Sequence, residues 1–370
     1  MSSTQIGADV RVVGVGGAGG NAVRHLIGEG IEGATLCALN TDGQALVDHP
    51  ADRHLVLGQR TTRGLGAGGR PSVGFAAAQE SSRDIAGLFE GADLVFVAAG
   101  LGGGTGTGAS PLIAHLAREA GALVVGVVTV PFGFEGGRRC RLAEAGLDAL
   151  EEQVDSLLVI ENDRLLDLGL SDPSALEAFA LADRILGDGV RGIGDLVTQS
   201  GLINLDFADL RAVLTDGGRA LLGIGEGRGP DRASQAIENA LRCPLLADRS
   251  LEGASGVLMS FTVDGALGLG KIHRAAARVQ ALVDDDAEIL FGVAVDPSLE
   301  DEVKVTLCAA GVGREADEAR PDQEVAAAVS PRSTGSRAAP SRKSDPDVVL
   351  ARPHTPAYAR RRNGLVMLDR

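Results

Sequence analysis

The sequence predicts an α/β protein: a nucleotide-binding domain on a parallel sheet, a long central helix, a second α/β or α+β domain and a disordered C-terminal tail. Three observations point there. From Val10 onward, short apolar runs alternate with longer helical patterns, as strands alternate with crossover helices. The stretch 174–197 contains no proline and repeats apolar residues at helical spacing: Leu176, Phe179, Ala182, Leu186, Val190, Ile193 and Val197. Beyond Gly313 the composition turns to Glu, Ala, Ser, Pro and Arg, with too little apolar surface to offset the entropy of ordering.

In chain order, residues 1–9 form a disordered arm, and a domain over 10–172 carries strands at 10–15, 35–39, 94–98, 123–130 and 157–160. The central helix occupies 173–200, with Ser174 after Pro173 placed to cap it. A second domain over 201–313 carries strands at 219–224, 256–262, 289–295 and 303–309, with helices near 232–241 and 268–283. A linker over 314–347 and a more apolar closing segment over 348–370 complete the organisation.

Composition narrows the function. A chain of 370 residues, 44% hydrophobic, can bury one large or two medium cores. No run approaches the roughly 18 apolar residues of a membrane span, and Met1 to Asp9 lacks the basic and apolar regions of a signal peptide, so a cytosolic protein is expected. Cys37, Cys140, Cys243 and Cys308 stand singly, without metal or thiol-exchange spacing, and read as buried thiols. A formal net charge of −15 argues against nucleic acid as a partner, because gripping phosphates needs clustered Lys and Arg. With 52 glycines, one Tyr and no Trp, recognition should lie in backbone loops.

The first such loop follows the opening strand: Gly14, Gly16, Gly17, Ala18, Gly19 and Gly20, before Asn21 opens a helix. Glycines let backbone approach an anion, and the helix start offers free N–H groups and the positive end of its dipole. Gly14, Gly16 and Gly19 also satisfy the dinucleotide fingerprint, with Asp42 placed as a ribose-binding acid. From this loop alone, NAD and another nucleotide both stay open. No Walker-type lysine loop is present in the sequence, which sets aside the ordinary P-loop reading.

The second loop separates these readings. The run 94–101 leads into Gly102-Gly103-Gly104-Thr105-Gly106-Thr107-Gly108, five glycines interleaved with two hydroxyls around one concavity. That is a cradle for a chain of phosphates. A dinucleotide enzyme does not need it, and as a mere turn it would be extravagant in conformational entropy.

This second loop resembles the tubulin signature of the FtsZ family, and similar stretches extend from Val10 to Gly311. They include 14–21, Asn40-Thr41-Asp42, the run 64–69 with Gly68 and Gly69, Pro131-Phe132, Phe134-Glu135-Gly136, 162–166 and 201–209. The resemblance implies a tubulin-like fold that binds GTP or GDP, with Mg²⁺ held mainly by the phosphates and no dedicated protein metal site. By the same resemblance the two glycine loops hold the phosphates beside Gly68 and Gly69. Glu135 and Arg139 reach the ribose and phosphates, Asn162 and Asp183 bond the guanine edge, and Phe179 stacks on the base. The chemistry is apt, since a carboxylate accepts paired N–H bonds from guanine but not from adenine. Without the resemblance, Asp183 reads as a solvated helix position and Asn162 as a strand-end turn residue.

The resemblance further implies that Asn204, Asp206 and Asp209 enter the nucleotide pocket of the next subunit, where the two acids polarise the attacking water. Read alone, Asp206 is a helix N-cap. The family reading makes the protein a GTPase that assembles head to tail into the cytoplasmic division ring at mid-cell. At the end of the chain Pro356, Tyr358, Arg360 and Arg361 loosely resemble the family's peptide for membrane-tethering division proteins, with no direct membrane insertion; a plain basic tail is the other reading. Leu101, Arg70, Val130 and Glu161 depart from the commonest family pattern. Rival readings are a tubulin-like scaffold that does not hydrolyse GTP and an NAD-dependent Rossmann dehydrogenase, which would need a proton donor that none of the six His supplies in an evident place.

Overall fold

The computed structural model describes residues 8–312 except 167–172, 199–201, 204–205, 216, 244, 247–250, 252 and 285. The tail over 314–370 and residues 1–7 of the expected N-terminal arm lie outside the described residues. The first half alternates β1 (Val10–Val15), α1 (Gly16–Gly28), β2 (Ala34–Asn40), β3 (Arg53–Val56), α2 (Pro71–Glu80), α3 (Ser82–Gly87), β4 (Leu94–Gly100), α4 (Thr105–Glu119), β5 (Leu123–Val130), α5 (Gly137–Glu151), β6 (Ser156–Glu161) and the short α6 (Asn162–Leu165). Neighbouring strands here run parallel, in the order β3-β2-β1-β4-β5-β6. Their apolar runs follow from burial on both faces: Leu94 to Ala99 is buried throughout. One face packs on α1 through Val23 and Leu26, and the other on α4 through Ile113 and Ala117.

Strand order reverses between β1 and β4, and a crevice opens at the carboxyl ends of strands where that happens. Both glycine loops leave from those two ends, so topology brings together segments some ninety residues apart in sequence.

The central helix α7 (Ala175–Thr198) starts where expected. Ser174 Oγ accepts the Glu177 N–H at 3.3 Å while Glu177 Oε2 accepts the Ser174 N–H at 2.8 Å, a reciprocal capping box. Ala178, Ala182, Ile185, Leu186, Val190 and Ile193 form its buried stripe.

The second half holds α8 (Phe207–Leu214), β7 (Gly218–Arg228), α9 (Arg232–Leu241), β8 (Gly256–Val263), α10 (Leu269–Gln280), β9 (Glu288–Val295) and β10 (Glu302–Ala310). It is not a separate sheet. β7 pairs parallel with β6 through Gly218, Arg219 and Ala220, then antiparallel with β10, so a single sheet of ten strands crosses the molecule among the described residues. β7 also outruns the expected strand 219–224 by four residues, to Arg228. Gly223, Gly225 and Gly227 on this strand all face α9. A Cβ on Gly225 would lie 2.0 Å from the Ala236 carbonyl oxygen, so only glycine lets that helix approach so closely.

Candidate functional site

Over the carboxyl ends of β4 and β5 lies a cavity of ≈ 270 Å³. Gly17, Ala18, Gly103, Gly104, Thr105 and Gly106 line one end, and Glu135, Arg139, Asn162, Phe179 and Asp183 line the other. Eleven of the sequence-predicted nucleotide residues therefore converge on one space. Gly100, Leu101, Thr129, Pro131 and Ala182 also line it and carried no sequence signal beyond their nearness to the motifs.

Backbone packing makes the glycine end. A Cβ on Gly19 would stand 2.2 Å from the Ala98 oxygen and one on Gly106 2.2 Å from the Gly100 oxygen, so these positions seat α1 and α4 against the strand ends. Gly16, at φ +74°, lies against Gly106, joining the two loops back to back. Gly17 and Gly103 have open space where a Cβ would stand. The helix starts present N–H groups toward that space, a setting that favours anions.

The remaining predicted residues form a supporting layer. The Gly20 carbonyl accepts a bond from His49 Nε2 at 2.8 Å, and burial lowers the pKa of that imidazole. His49 was not singled out from sequence, because it sits 29 residues away in an unremarkable turn. Asn40 is buried and its Oδ1 accepts the Asp42 N–H at 3.1 Å, while Asp42 Oδ1 accepts the Gln44 N–H at 3.0 Å. Thr41 Oγ1 meets Thr105 Oγ1 at 2.6 Å, and Gly68 and Gly69, both left-handed, turn the loop whose Ala67 and Arg70 rest on Gly104. Gly102, at φ +88°, donates its N–H to Thr107 Oγ1 at 2.9 Å, and Thr107 is fully buried. Of the two threonine hydroxyls expected around the concavity, Thr107's therefore points into the loop itself; Thr105 lines the cavity.

The polar end offers matched acceptors. Asn162 is 5% exposed and its Oδ1 has no hydrogen-bond partner, a deficit worth about 1–3 kcal/mol until a donor arrives. Burial pushes the Asp183 carboxyl up to about 6, opposed by Asn21, whose Nδ2 donates to Asp183 Oδ2 at 2.9 Å, and by His25. Phe179 stands perpendicular to Phe132 (5.4 Å, 89°) and Phe134 (6.4 Å, 81°) and stays 40% exposed, leaving ring surface for a planar group. Glu135 pairs with Arg139 and accepts the Phe132 N–H at 2.9 Å, and Asp163 accepts the Gly133 N–H at 3.0 Å, so this turn is tied at both ends. The unpaired Asn162 Oδ1 and the Asp183 carboxyl at one end, with backbone donors at the other, fit a guanine nucleotide. Among the described residues no cluster of three or more His, Cys, Asp or Glu is placed to hold a metal.

The acidic trio lies elsewhere. Asn204 falls outside the described residues. Asp206 takes the N-cap position of α8 by backbone alone: its side chain makes no capping bond, and both it and Asp209 are exposed. Leu202 and Ile203 lead toward them, bound antiparallel to Val293 on β9 through Leu202 N–H to Val293 O at 2.8 Å and Val293 N–H to Ile203 O at 3.1 Å. Arg211 of α8 donates to the Gly121 carbonyl at 3.0 Å, just before β5 begins. The cavity sits at the other end of β5, beside Thr129, roughly 20–25 Å away at ~3.3 Å per residue. Asp206 and Asp209 are thus on the opposite end of the sheet from their own chain's cavity.

Comparison with known proteins places the chain in a family. Residues 9–169 match the model of the Tubulin/FtsZ family GTPase domain, and residues 218–313 match the C-terminal domain of the FtsZ family. Among solved structures, an FtsZ dimer from M. jannaschii is 42% identical with a TM-score of 0.81, covering 84% of this chain and 90% of that one. A substituted FtsZ from the same organism is 43% identical, with a TM-score of 0.80 over 83% of this chain and 92% of that one. A protofilament of CetZ2 from Haloferax volcanii, 22% identical, shares the fold with a TM-score of 0.70 over 83% of this chain and 94% of that one. With both family models matched in order and two-fifths of its residues identical to those of solved relatives, the chain belongs to the FtsZ family of tubulin-like GTPases.

Proposed function

We propose that this protein binds GTP in the cavity above β4 and β5, assembles head to tail, and hydrolyses GTP to GDP and phosphate only where two copies meet. The observation that carries this reading is the separation along β5. A cavity with backbone donors and guanine acceptors lies at one end, and exposed Asp206 and Asp209 lie at the other. One copy stacked on the next brings its acids to the neighbour's cavity, which a single chain cannot do. The FtsZ dimer and the CetZ2 protofilament are relatives that self-associate, in keeping with such stacking.

The residues divide the work. Gly17 and Gly103 leave room for phosphates beside the N–H groups of α1 and α4, with Gly104 seated against Ala67 and Arg70; Asn162 Oδ1 and Asp183 accept from the guanine edge; Phe179 covers the base. Mg²⁺, bound together with the nucleotide, would supply charge neutralisation. Asp206 and Asp209 of the adjoining copy, with Asn204, orient and polarise the attacking water, which suits phosphoryl transfer because its catalysis is mostly positioning and charge stabilisation. The NAD reading fares worse: Asp42 is engaged with Gln44, and no His is among the cavity's lining residues.

Phosphate release measured against protein concentration tests the composite site. A threshold followed by a steep rise is expected; a rate strictly proportional to protein from the lowest concentration would remove assembly-dependence. We further propose that the chain works in the cytoplasm at the division ring, held there by the segment around Pro356, Tyr358, Arg360 and Arg361. Among the described residues no helix is long and apolar enough to cross a membrane. Deleting 348–370 should leave phosphate release intact and abolish co-sedimentation with a membrane-tethered division protein; loss of hydrolysis would place the segment in the catalytic unit instead.

A further inference from the structure

Asp183 does not stand alone on α7. Along the contact between α1 and α7, polar residues on α1 recur every four positions: Asn21, His25 and Glu29. Asn21 bonds Asp183 at 2.9 Å, and Glu29 meets Arg191 at 3.3 Å. Between them the His25 ring rests on Gly187, where a Cβ would stand 2.9 Å from His25 Cδ2, so the missing side chain admits the imidazole between the helices. His25 Nε2 is buried without a hydrogen-bond partner and lies 3.6 Å from Asp188 Oδ1. The imidazole, its side chain 24% exposed but its Nε2 buried beside Asp188, thus lies one helical turn below the Asn21–Asp183 pair at the base-reading end of the cavity. An aliphatic side chain would fill the same gap at lower desolvation cost.

We propose that His25, anchored by Asp188, is a positioning residue for guanine recognition: with Asn21 it holds the Asp183 carboxylate in the ionised, correctly turned form that accepts the two N–H bonds of the base. This rests on the guanine reading above. Burial works against that form, raising the carboxyls of both Asp183 and Asp188, and the His25 charge opposes the rise in each. The other charged groups bearing on the pair are Arg184 on α7, which lies 3.8 Å from Asp188, and Glu29 on α1. The strands behind this part of α7 present the aliphatic Val127, Leu158 and Leu222. Since guanine needs the ionised acid, base binding below the Asp183 titration at about 6 must expel a proton, and affinity falls as pH drops. Removing a neighbouring cation moves that fall to higher pH.

The test uses the full chain and the variants H25A, H25Q and D188N, with dissociation constants for GDP and inosine diphosphate from pH 5.5 to 8 and the urea midpoint of each variant. Inosine diphosphate lacks the exocyclic amine and so one of the two bonds to Asp183. The native chain should weaken for GDP by about tenfold per pH unit below its titration. H25A and H25Q should bind GDP roughly 2- to 5-fold more weakly at pH 6, the scale of one nearby, partly exposed charge. Their pH profiles should bend at higher pH and their preference for GDP over inosine diphosphate should narrow, with D188N following in the same direction. A structural filler would instead lower the urea midpoint and leave the pH bend and the base preference in place, and that result overturns the proposal. D188N guards against an H25A that fails to fold. A native chain that binds no GDP at any pH would remove the guanine reading itself, and this inference with it.

Discussion

Asp209→Ala should bind GTP as tightly as the native chain and still assemble, yet release phosphate about 10²- to 10⁴-fold more slowly, the usual contribution of a carboxylate acting on water. Binding is expected to survive because Asp209 is exposed on α8, at the far end of β5 from the cavity. The sharper measurement is a mixture. Asp183→Ala loses the acceptor for the guanine edge but keeps its acids, whereas Asp209→Ala keeps its cavity. Each alone should be nearly inactive. Mixed, the two should recover activity at junctions where an Asp209→Ala cavity meets an Asp183→Ala loop. An inactive mixture that still co-assembles would show that cavity and acids act within one chain, and undiminished turnover by Asp209→Ala alone would remove its catalytic role.

Gly106→Ala should be the most damaging single methyl in the cavity. Its Cβ would stand 2.2 Å from the Gly100 carbonyl oxygen, a backbone atom with no rotamer to escape into. Either α4 lifts from the end of β4 or β4 bends, at a cost near the upper end of overpacking, about 3 kcal/mol. Because Gly16 lies against Gly106, the first loop moves as well. A lower urea midpoint and GTP affinity reduced by ~10²-fold are expected, that factor being about 3 kcal/mol in binding. Gly17→Ala is the control: nothing stands within 4 Å of its Cβ, so the fold should hold to within about 0.5 kcal/mol. The same methyl points into the cavity that Gly17 lines, so GTP affinity should fall without a stability change. Equal loss of stability in both variants would mean that the loops are not held as the packing indicates.

Much of the cavity was legible because its chemistry is local. A glycine run after a strand and before a helix states its purpose within a few residues: backbone freedom, exposed N–H groups and a helix start. The capping of α7 by Ser174 was legible for the same reason, since its partner, Glu177, is only three residues away. What escaped depends on distant partners. His49 supports Gly20 from 29 positions away, and Asn21 meets Asp183 across 162. Thr105 and Thr107 look alike in sequence, yet one lines the cavity and the other is buried against Gly102. The extension of β7 beyond residue 224 escaped because Gly225 and Gly227 serve the close approach of α9, which no local pattern encodes.

The resemblance of its motifs supplied the family, while sequence by itself determined the order and kind of the elements and the two glycine loops. These follow from short-range causes: side-chain periodicity, backbone freedom at glycine and the hydrogen-bonding capacity of each residue type. Tertiary structure alone decided which of these groups share a space. The reversal of strand order between β1 and β4 places both loops over one crevice, and the path of β5 carries that crevice some 20–25 Å from Asp206 and Asp209. Separation across a sheet is set by the packing of whole strands, so the distance between the cavity and the two exposed acids became visible only when the strands were laid side by side.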